Sequence, residues 1–202
     1  MYEPLASRMR PRNLDDFAGQ EKLVGEKGSL RMMFDGGELG SMVFWGPPGC
    51  GKTTLAQMLA ERSDLNFKPF SAVLSGIKEV REAMRQAKSD REQSQRPTLV
   101  FVDEIHRFNK AQQDAFLPFV EAGDIVLVGA TTENPSFEII GPLLSRLTVH
   151  ILEPLSEEDI VALLRTTLSD AERGLGARRL EANDEQLQMI ANVASGDARR
   201  AY

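Results

Sequence analysis

The chain has 202 residues, and its 30 acidic side chains outnumber 24 basic ones, which gives a formal net charge of -6. With 42% hydrophobic and 27% charged residues, its composition is that of a globular chain and excludes collagen, disordered tails and disulfide miniproteins. No apolar run reaches the roughly 20 residues of a membrane-spanning helix, and the first residues lack the apolar core of a secretory signal. We therefore expect a cytoplasmic protein that does not contact a membrane, in keeping with its single cysteine, Cys50.

Short apolar segments alternate with longer segments of helical period along the first two thirds of the chain. The runs Met42 to Trp45, Leu99 to Val102 and Ile125 to Val128 are continuous rather than alternating, which predicts strands covered by helices on both faces. This rhythm predicts an α/β fold with a largely parallel sheet. Between the strands, the spacing of apolar residues predicts a helix from Ile77 to Ala87, followed by an exposed turn at Lys88 to Arg96.

A second helical segment contains a proline. Lys110 to Glu121 has a helical pattern, and Pro118 is expected to end or kink that helix near Leu117. A further strand is expected within Thr148 to Leu152, and His150 in it is interpreted as a packed or surface residue rather than a catalytic one.

The pattern changes after this last strand, where a hydroxyl and acidic side chains predict the start of a helix at Ser156. Asn183 and Gln186 predict the start of another helix in the same way. We therefore expect an α/β nucleotide-binding domain at residues 1–155 and a helical lid at residues 156–202. The chain has no stop signal near its last residue, so we expect the lid to be truncated.

The strongest motif is a complete G-x-x-x-x-G-K-[ST] pattern, formed by Gly46, Pro47, Pro48, Gly49, Cys50, Gly51, Lys52 and Thr53. A predicted strand precedes it and a predicted helix follows from Thr54, which is the context of a phosphate-binding loop. The glycines allow backbone N–H groups and the helix N-terminus to face phosphate oxygens. Lys52 is expected to reach the β- and γ-phosphates, and the Thr53 hydroxyl to bind Mg²⁺. The alternative, a Gly/Pro-rich turn with a surface lysine, does not explain the flanking strand and helix.

Two carboxylates end a buried strand about 50 residues farther on. If that strand is parallel to the first, Asp103 and Glu104 reach the same carboxyl edge of the sheet, where ligands bind in open α/β folds. Asp103 is then expected to hold Mg²⁺, directly or through water, and Glu104 to orient and polarise the attacking water. A solvated acidic strand end is the alternative, and the nearby phosphate loop makes it the weaker one.

The segments "GPPGCGKT", "LVFVDEIHRFNKAQQDAF", "GATTENPSFEI" and "LLSRL" resemble successive motifs of AAA+ ATPases. More narrowly, "HRFNKAQQDAF" and "TTENPSFEI" are similar to the family of replication-associated recombination protein A (RarA, or MgsA) and the Werner-helicase-interacting ATPase. The resemblance extends from "PLASRMRP" to "SGDARRAY", nearly the whole chain. Some of the motifs are shared with clamp loaders and the Holliday-junction motor RuvB.

This resemblance implies further site residues. Thr132 best matches the residue that senses the γ-phosphate, with Thr131 and Asn134 as competitors. Arg146 matches the arginine finger, which reaches the nucleotide of a neighbouring subunit. An ordinary polar turn and a surface arginine are the simpler alternatives.

Near the two ends of the chain, Arg199 matches the second sensor on the lid, with Arg200 as its competitor. The strip from Arg8 to Pro11 resembles the wall of the adenine site. His106 follows the two carboxylates, but the sequence around it predicts no metal cluster. Cys50 has two interpretations: a small residue that fills a permissive loop position, or a thiol that ionises more readily than a free one, because a lysine and a helix N-terminus favour the thiolate.

The resemblance implies a Mg²⁺-dependent ATP hydrolase that is activated by single-stranded or gapped DNA and acts at stalled replication forks, in recombination and in repair. It also implies a homo-oligomer at full length, with replication and single-strand-binding proteins as partners. Two alternatives remain open: a clamp-loader or branch-migration motor subunit, and an ATP-gated scaffold that hydrolyses weakly. Glu104 and Arg146 argue against the scaffold, because a subunit that does not hydrolyse ATP needs neither group.

Overall fold

The structure is a computed structural model that describes residues 3–37, 39–63, 65–94 and 96–202. The strands of these residues form one sheet in the order β2-β3-β4-β1-β5, and every neighbouring pair is parallel. Their bounds are β1 Met42–Trp45, β2 Asn66–Ser71, β3 Thr98–Asp103, β4 Ile125–Thr131 and β5 Thr148–Ile151. The predicted α/β class with a parallel sheet is therefore confirmed. None of the helices described is long and apolar enough to cross a membrane.

The helices lie before, between and after the strands. Their bounds are α1 Leu5–Arg8, α2 Glu21–Val24, α3 Ser29–Asp35, α4 Lys52–Arg62, α5 Ile77–Ser94, α6 Lys110–Asp114, α7 Leu117–Glu121, α8 Pro135–Glu138, α9 Gly141–Leu144, α10 Glu157–Ser169, α11 Asp184–Ala194 and α12 Ala198–Ala201. Short 3-10 turns occur at Leu14–Asp16, Ile105–Arg107 and Gly176–Arg178.

The chain divides into two compact units that interleave along the sequence. One unit, called the loop unit here, comprises Met1–Arg31, Pro47–Thr54 and Leu152–Tyr202; the other, called the sheet unit, comprises Met32–Gly46 and Leu55–Ile151. Each has its own apolar core, which includes Phe116 and Leu127 in the sheet unit and Ile160 and Leu187 in the loop unit. The sequence-based domain boundary near residue 155 remains a prediction.

The central strands of the sheet unit are buried along nearly their whole length, as their continuous apolar sequences predict. Parallel pairing places the carboxyl ends of β1, β3 and β4 at one edge of the sheet, with Trp45 paired to Thr131 and Val102 to Gly129. A Cβ atom on Gly129 would lie 3.1 Å from Cδ1 of the buried Ile105. The absence of a side chain at this position thus lets the turn after β3 pack closely against β4.

Of the two detailed helix predictions, the first was wrong and the second is confirmed. Helix α5 continues to Ser94, so the stretch from Lys88, predicted as an exposed turn, is mostly helical. Its polar residues lie on an exposed helix, and three apolar residues, Val80, Met84 and Ala87, form its buried face. The predicted interruption near Leu117 is confirmed, because α6 ends at Asp114 and α7 begins at Leu117. Pro118 lies in the first turn of α7, where its missing N–H would be unpaired in any case.

The predicted helix starts in the loop unit are confirmed. Ser156 accepts a hydrogen bond from the Asp159 N–H, and the Asp159 carboxylate accepts one from the Ser156 N–H. Asn183 and Gln186 form the same reciprocal pair at the start of α11. These caps fix the two long helices of the C-terminal segment.

Candidate nucleotide-binding and catalytic site

The predicted phosphate loop connects β1 to α4, and two of its glycines have backbone angles that other residues rarely adopt. Gly49 has φ of 72° and Gly51 has φ of 100°. A Cβ atom on Gly51 would lie 2.4 Å from Cζ of Phe17, and one on Gly49 would lie 1.8 Å from Oδ1 of Asp197. Backbone angle and packing therefore both require glycine at these positions.

The loop forms one wall of a cavity of about 380 Å³ within the loop unit. The N-terminal segment contributes Met9, Pro11 and Phe17, and the C-terminal segment contributes Leu163, Arg199 and Tyr202. The volume lies in the range of small-molecule sites, and the lining combines apolar walls with cations and backbone N–H groups. Such a lining suits a ligand with a flat apolar part and a negatively charged part.

Lys52 is the cation at the loop end of this cavity. It is 7% exposed, and its Nζ donates a hydrogen bond to the Pro47 carbonyl oxygen at 2.7 Å. Thr53 and Thr54 follow it in the first turn of α4 and also line the cavity. The start of α4 therefore places an ammonium group, hydroxyl groups and a helix N-terminus at one cavity.

Cys50 contradicts the expectation of a reactive thiol. It is 1% exposed, its Sγ donates to the Pro47 carbonyl oxygen at 3.0 Å, and burial raises the pKa of the thiol above its usual value. Lys52 and Arg199 lower the pKa, but they do not offset the loss of hydration. The prediction of easy ionisation was wrong because the sequence does not show how deeply the loop buries this side chain.

The remaining predicted cofactor-binding residues lie both in the cavity lining and outside it. Pro11 lines the cavity, whereas Arg8 is not among the lining residues described, and its buried Nε has no hydrogen-bond partner in the described part of the chain. Pro47 supplies the carbonyl oxygen that holds Lys52, and Pro48 is exposed. Gly46 belongs to the sheet unit, where its N–H donates to the Thr131 carbonyl oxygen at 3.1 Å.

At the lid end of the chain, the two candidate arginines occupy different places. Arg199 lines the cavity of the loop unit, and Arg200 is not among the lining residues described. Asp197 caps α12 by accepting hydrogen bonds from the N–H groups of both arginines. Sequence reasoning assigned no role to Asp197, although an aspartate just before a short basic helix is a recognisable cap.

The two acidic residues lie in the sheet unit, at the carboxyl end of β3. Asp103 is the last residue of the strand and pairs with Ser71 of β2. Glu104 follows with φ of 55° and ψ of 48°, a left-handed conformation that is uncommon for a residue with a side chain. Its side chain is 34% exposed, and Oε2 lies 3.2 Å from Nδ1 of His106.

The three candidates for the γ-phosphate sensor lie at the end of β4 or just after it. Thr131 is fully buried, and its Oγ1 contacts His106 Nδ1 at 2.9 Å and accepts a hydrogen bond from the Glu133 N–H at 3.0 Å. Asn134 caps α8 through the Ser136 N–H. Thr132 is half-buried, and within the described residues its hydroxyl has no hydrogen-bond partner. Which of the three senses the γ-phosphate stays a prediction, with Thr132 as the choice from the sequence.

Arg146 is exposed after α9 in the sheet unit. Its Nη1 donates to the Pro142 carbonyl oxygen at 2.7 Å, and its Nη2 lies 2.5 Å from Oε1 of Glu121. Both partners are at the protein surface, where an ion pair contributes little to stability. The guanidinium is thus accessible for a contact outside this chain.

The chain is similar to ATPases in both sequence and structure. The model of the ATPase family associated with various cellular activities (AAA) matches residues 42–155. Replication-associated recombination protein A of Haemophilus influenzae is 50% identical over 200 residues, which cover 99% of this chain and 45% of that protein. The ATPase WRNIP1 of Dictyostelium discoideum is 46% identical, over 99% of this chain and 23% of that protein.

Solved structures support the same relationship. The structure of RuvB, the Holliday junction branch migration motor of Thermotoga maritima, matches with a TM-score of 0.73 and 32% sequence identity. The match covers 96% of this chain and 63% of the RuvB chain. The chain spans less than half the length of the curated proteins named above.

Proposed function

This chain belongs to the AAA family of ATPases, and on that premise we propose that it is the ATP-hydrolysing part of a protein that remodels DNA at stalled replication forks. The cavity of the loop unit carries the nucleotide part of this proposal. It joins a phosphate loop with two obligatory glycines, a buried lysine and an apolar wall in about 380 Å³.

The residues that line the cavity of the loop unit have different roles in the proposal. Lys52 exchanges its bond to the Pro47 carbonyl for the β- and γ-phosphates, where its charge is better compensated. Arg199 contacts the phosphates from the lid side, and the apolar residues of the N-terminal segment hold the base. Within the strip from Arg8 to Pro11, Pro11 is retained in the proposal and Arg8 is not, because Pro11 lines the cavity and Arg8 is not among the lining residues described.

In the sheet unit, Glu104 is proposed to orient the attacking water and accept its proton, and Thr132 to hold the γ-phosphate. Arg146 is proposed to act in trans on the nucleotide of a neighbouring subunit, which requires a homo-oligomer. A cation that approaches the transferred phosphoryl group stabilises the charge of the transition state. The surface position of Arg146 suits this role, since Glu121 is an exposed partner that a subunit interface can replace.

The donors proposed for Mg²⁺ are the Thr53 hydroxyl and the Asp103 carboxylate. Both are hard oxygen ligands, which this ion prefers, and few protein ligands are needed because Mg²⁺ retains water and binds substrate phosphates. Bound Mg²⁺ neutralises phosphate charge during the reaction.

The DNA part of the proposal rests on the names of the relatives. Two of them are a replication-associated recombination protein and a branch migration motor. We therefore propose single-stranded or gapped DNA as the activator and replication and single-strand-binding proteins as partners. The cytoplasm is proposed as the location. The likeness to RuvB makes a branch-migration motor the second candidate function.

Steady-state ATP hydrolysis by the full-length protein tests both parts. Lys52→Ala should abolish ATP binding, whereas Glu104→Gln should keep binding and lose turnover, because only the carboxylate that activates water is removed. Wild-type turnover by Glu104→Gln would contradict the catalytic assignment. A wild-type protein that binds ATP but barely hydrolyses it, with or without DNA, would instead identify the scaffold.

A DNA series separates the remaining alternatives. The rate should rise with single-stranded or gapped DNA more than with intact duplex of equal length. Equal stimulation by all these substrates would argue against the proposed activator. ATP-dependent movement of a four-way junction, without a preference for gapped DNA, would favour the branch-migration motor.

A further inference from the structure

His106 lies between two elements of the candidate site, and the proposed mechanism does not use it. Its Nδ1 is 3.2 Å from Oε2 of Glu104 and 2.9 Å from Oγ1 of Thr131. The His106 side chain is only 13% exposed, and Thr131 is fully buried at the end of β4. A single ring nitrogen thus contacts the proposed water-activating carboxylate and the strand that leads to the proposed γ-phosphate sensor.

The local backbone explains why His106 faces β4. Glu104 adopts a left-handed conformation, and its carbonyl oxygen accepts a hydrogen bond from the Arg107 N–H at 2.9 Å, which starts a 3-10 turn. Ile105 is buried against Gly129, so the turn is held in place by its packing on β4. A left-handed residue with a side chain has an energetic cost that the surrounding packing must offset, and such residues concentrate at functional sites.

The hydrogen-bond partners determine which atom carries the proton. An ionised Glu104 can only accept a hydrogen bond. The Thr131 hydroxyl oxygen accepts from the Glu133 N–H, and the same hydroxyl can donate to the Glu133 carbonyl oxygen at 3.3 Å. Both oxygens are satisfied when Nδ1 carries the proton and shares this N–H between Glu104 and Thr131.

We propose that His106 is a positioning residue whose Nδ1–H holds the Glu104 carboxylate in register with Thr131, so that the orientation of the water-activating group follows the position of the sensor segment. Thr132, the favoured sensor, is the next residue after Thr131. A γ-phosphate that binds Thr132 and shifts it therefore also shifts the Thr131 hydroxyl, which contacts His106. This inference rests on the proposed role of Glu104 in ATP hydrolysis.

Matched variants of both partners test the proposal in the full-length protein. His106→Phe keeps a ring but removes the donor, and Thr131→Val keeps the shape but removes the hydroxyl. We expect each to lower kcat by on the order of tenfold or more, because a small misplacement of a catalytic group costs this much. The dissociation constant for ATP and the melting temperature should change little.

Conservative variants provide the control. His106→Asn places an amide N–H near the position of Nδ1, and Thr131→Ser restores the hydroxyl, so both should recover most of the lost kcat. A purely structural role predicts instead that kcat follows the melting temperature and that Asn is no better than Phe. If His106→Phe fails to fold, the comparison of Thr131→Val with Thr131→Ser decides the question.

The outcomes distinguish this inference from the proposed function. If Glu104→Gln retains wild-type turnover, the role of Glu104 itself is wrong. If Glu104→Gln is inactive while His106→Phe and Thr131→Val are folded and turn over at the wild-type rate, only the role of His106 is overturned. In the Glu104→Gln background, His106→Phe should produce no further loss, since the group that it positions has been removed.

Discussion

His150 is expected to make the stability of this protein depend on pH. It lies in β5, is 5% exposed and packs its ring 6.1 Å from that of Phe44. Its buried Nε2 has no hydrogen-bond partner among the described residues. Burial lowers the pKa of His150 below its usual value of 6.5, because the imidazolium loses hydration that the site does not replace.

The sign and size of the effect follow from this pKa. The unfolded chain binds a proton at His150 more readily than the native protein, so stability is complete above pH 6.5 and falls as the pH decreases below it. At pH 5.5 an unfolded histidine is about nine-tenths protonated. If the native imidazole stays neutral, the free energy of unfolding is lower at pH 5.5 than at pH 7.5 by at most about 1.4 kcal/mol. For a chain of this size, this corresponds to a melting temperature lower by about 4 °C.

The assay compares melting temperatures of wild type and His150→Phe at pH 7.5 and 5.5. The contributions of ionisable groups that both proteins share cancel in the difference. We expect the wild type to lose up to about 4 °C more than the variant between the two pH values. Equal losses in the two proteins would show that His150 is protonated in the native state without cost and would refute the reasoning.

Three further outcomes are expected. A maleimide should modify Cys50 slowly in the native protein without nucleotide, because the thiol is buried and has a raised pKa; labelling as fast as in the unfolded chain would contradict its burial. Gly51→Ala should weaken ATP binding by about tenfold or more, since its Cβ would meet Phe17 at a positive φ, and unchanged binding in a titration would exclude this clash. Mixing Arg146→Ala with Glu104→Gln should restore some hydrolysis in a full-length oligomer, and mixtures as inactive as both parents would argue against a finger in trans.

The central strands and the position of the glycine-rich loop between β1 and α4 could be predicted from the sequence because their signals are local. Continuous apolar runs identify strands that are buried on both faces, and the structure places β1 and β4 where those runs lie. The edge strand β2 was not predicted. Its sequence includes Lys68 and Pro69, both exposed, and a strand with one free edge needs neither a continuous apolar run nor every backbone N–H.

Other features depend on residues that meet only after folding. The ionisation of Cys50 is governed by its depth in the loop unit rather than by its neighbours in sequence. The contact of His106 with Thr131 joins residues 25 positions apart. A sequence pattern around either residue cannot show these environments, because burial and hydrogen bonding are set by packing between distant segments.

The loop motif itself carries part of this long-range information. Phosphate binding requires only that the backbone near Gly49 and Gly51 be accessible to the ligand. Packing in the loop unit requires glycine itself, because Asp197 leaves no room for a side chain at Gly49 and Phe17 leaves none at Gly51. Asp197 also caps the helix that carries Arg199. The two glycines therefore allow the N-terminal and C-terminal segments to pack against the loop, so one short motif constrains the two segments that line the rest of the cavity.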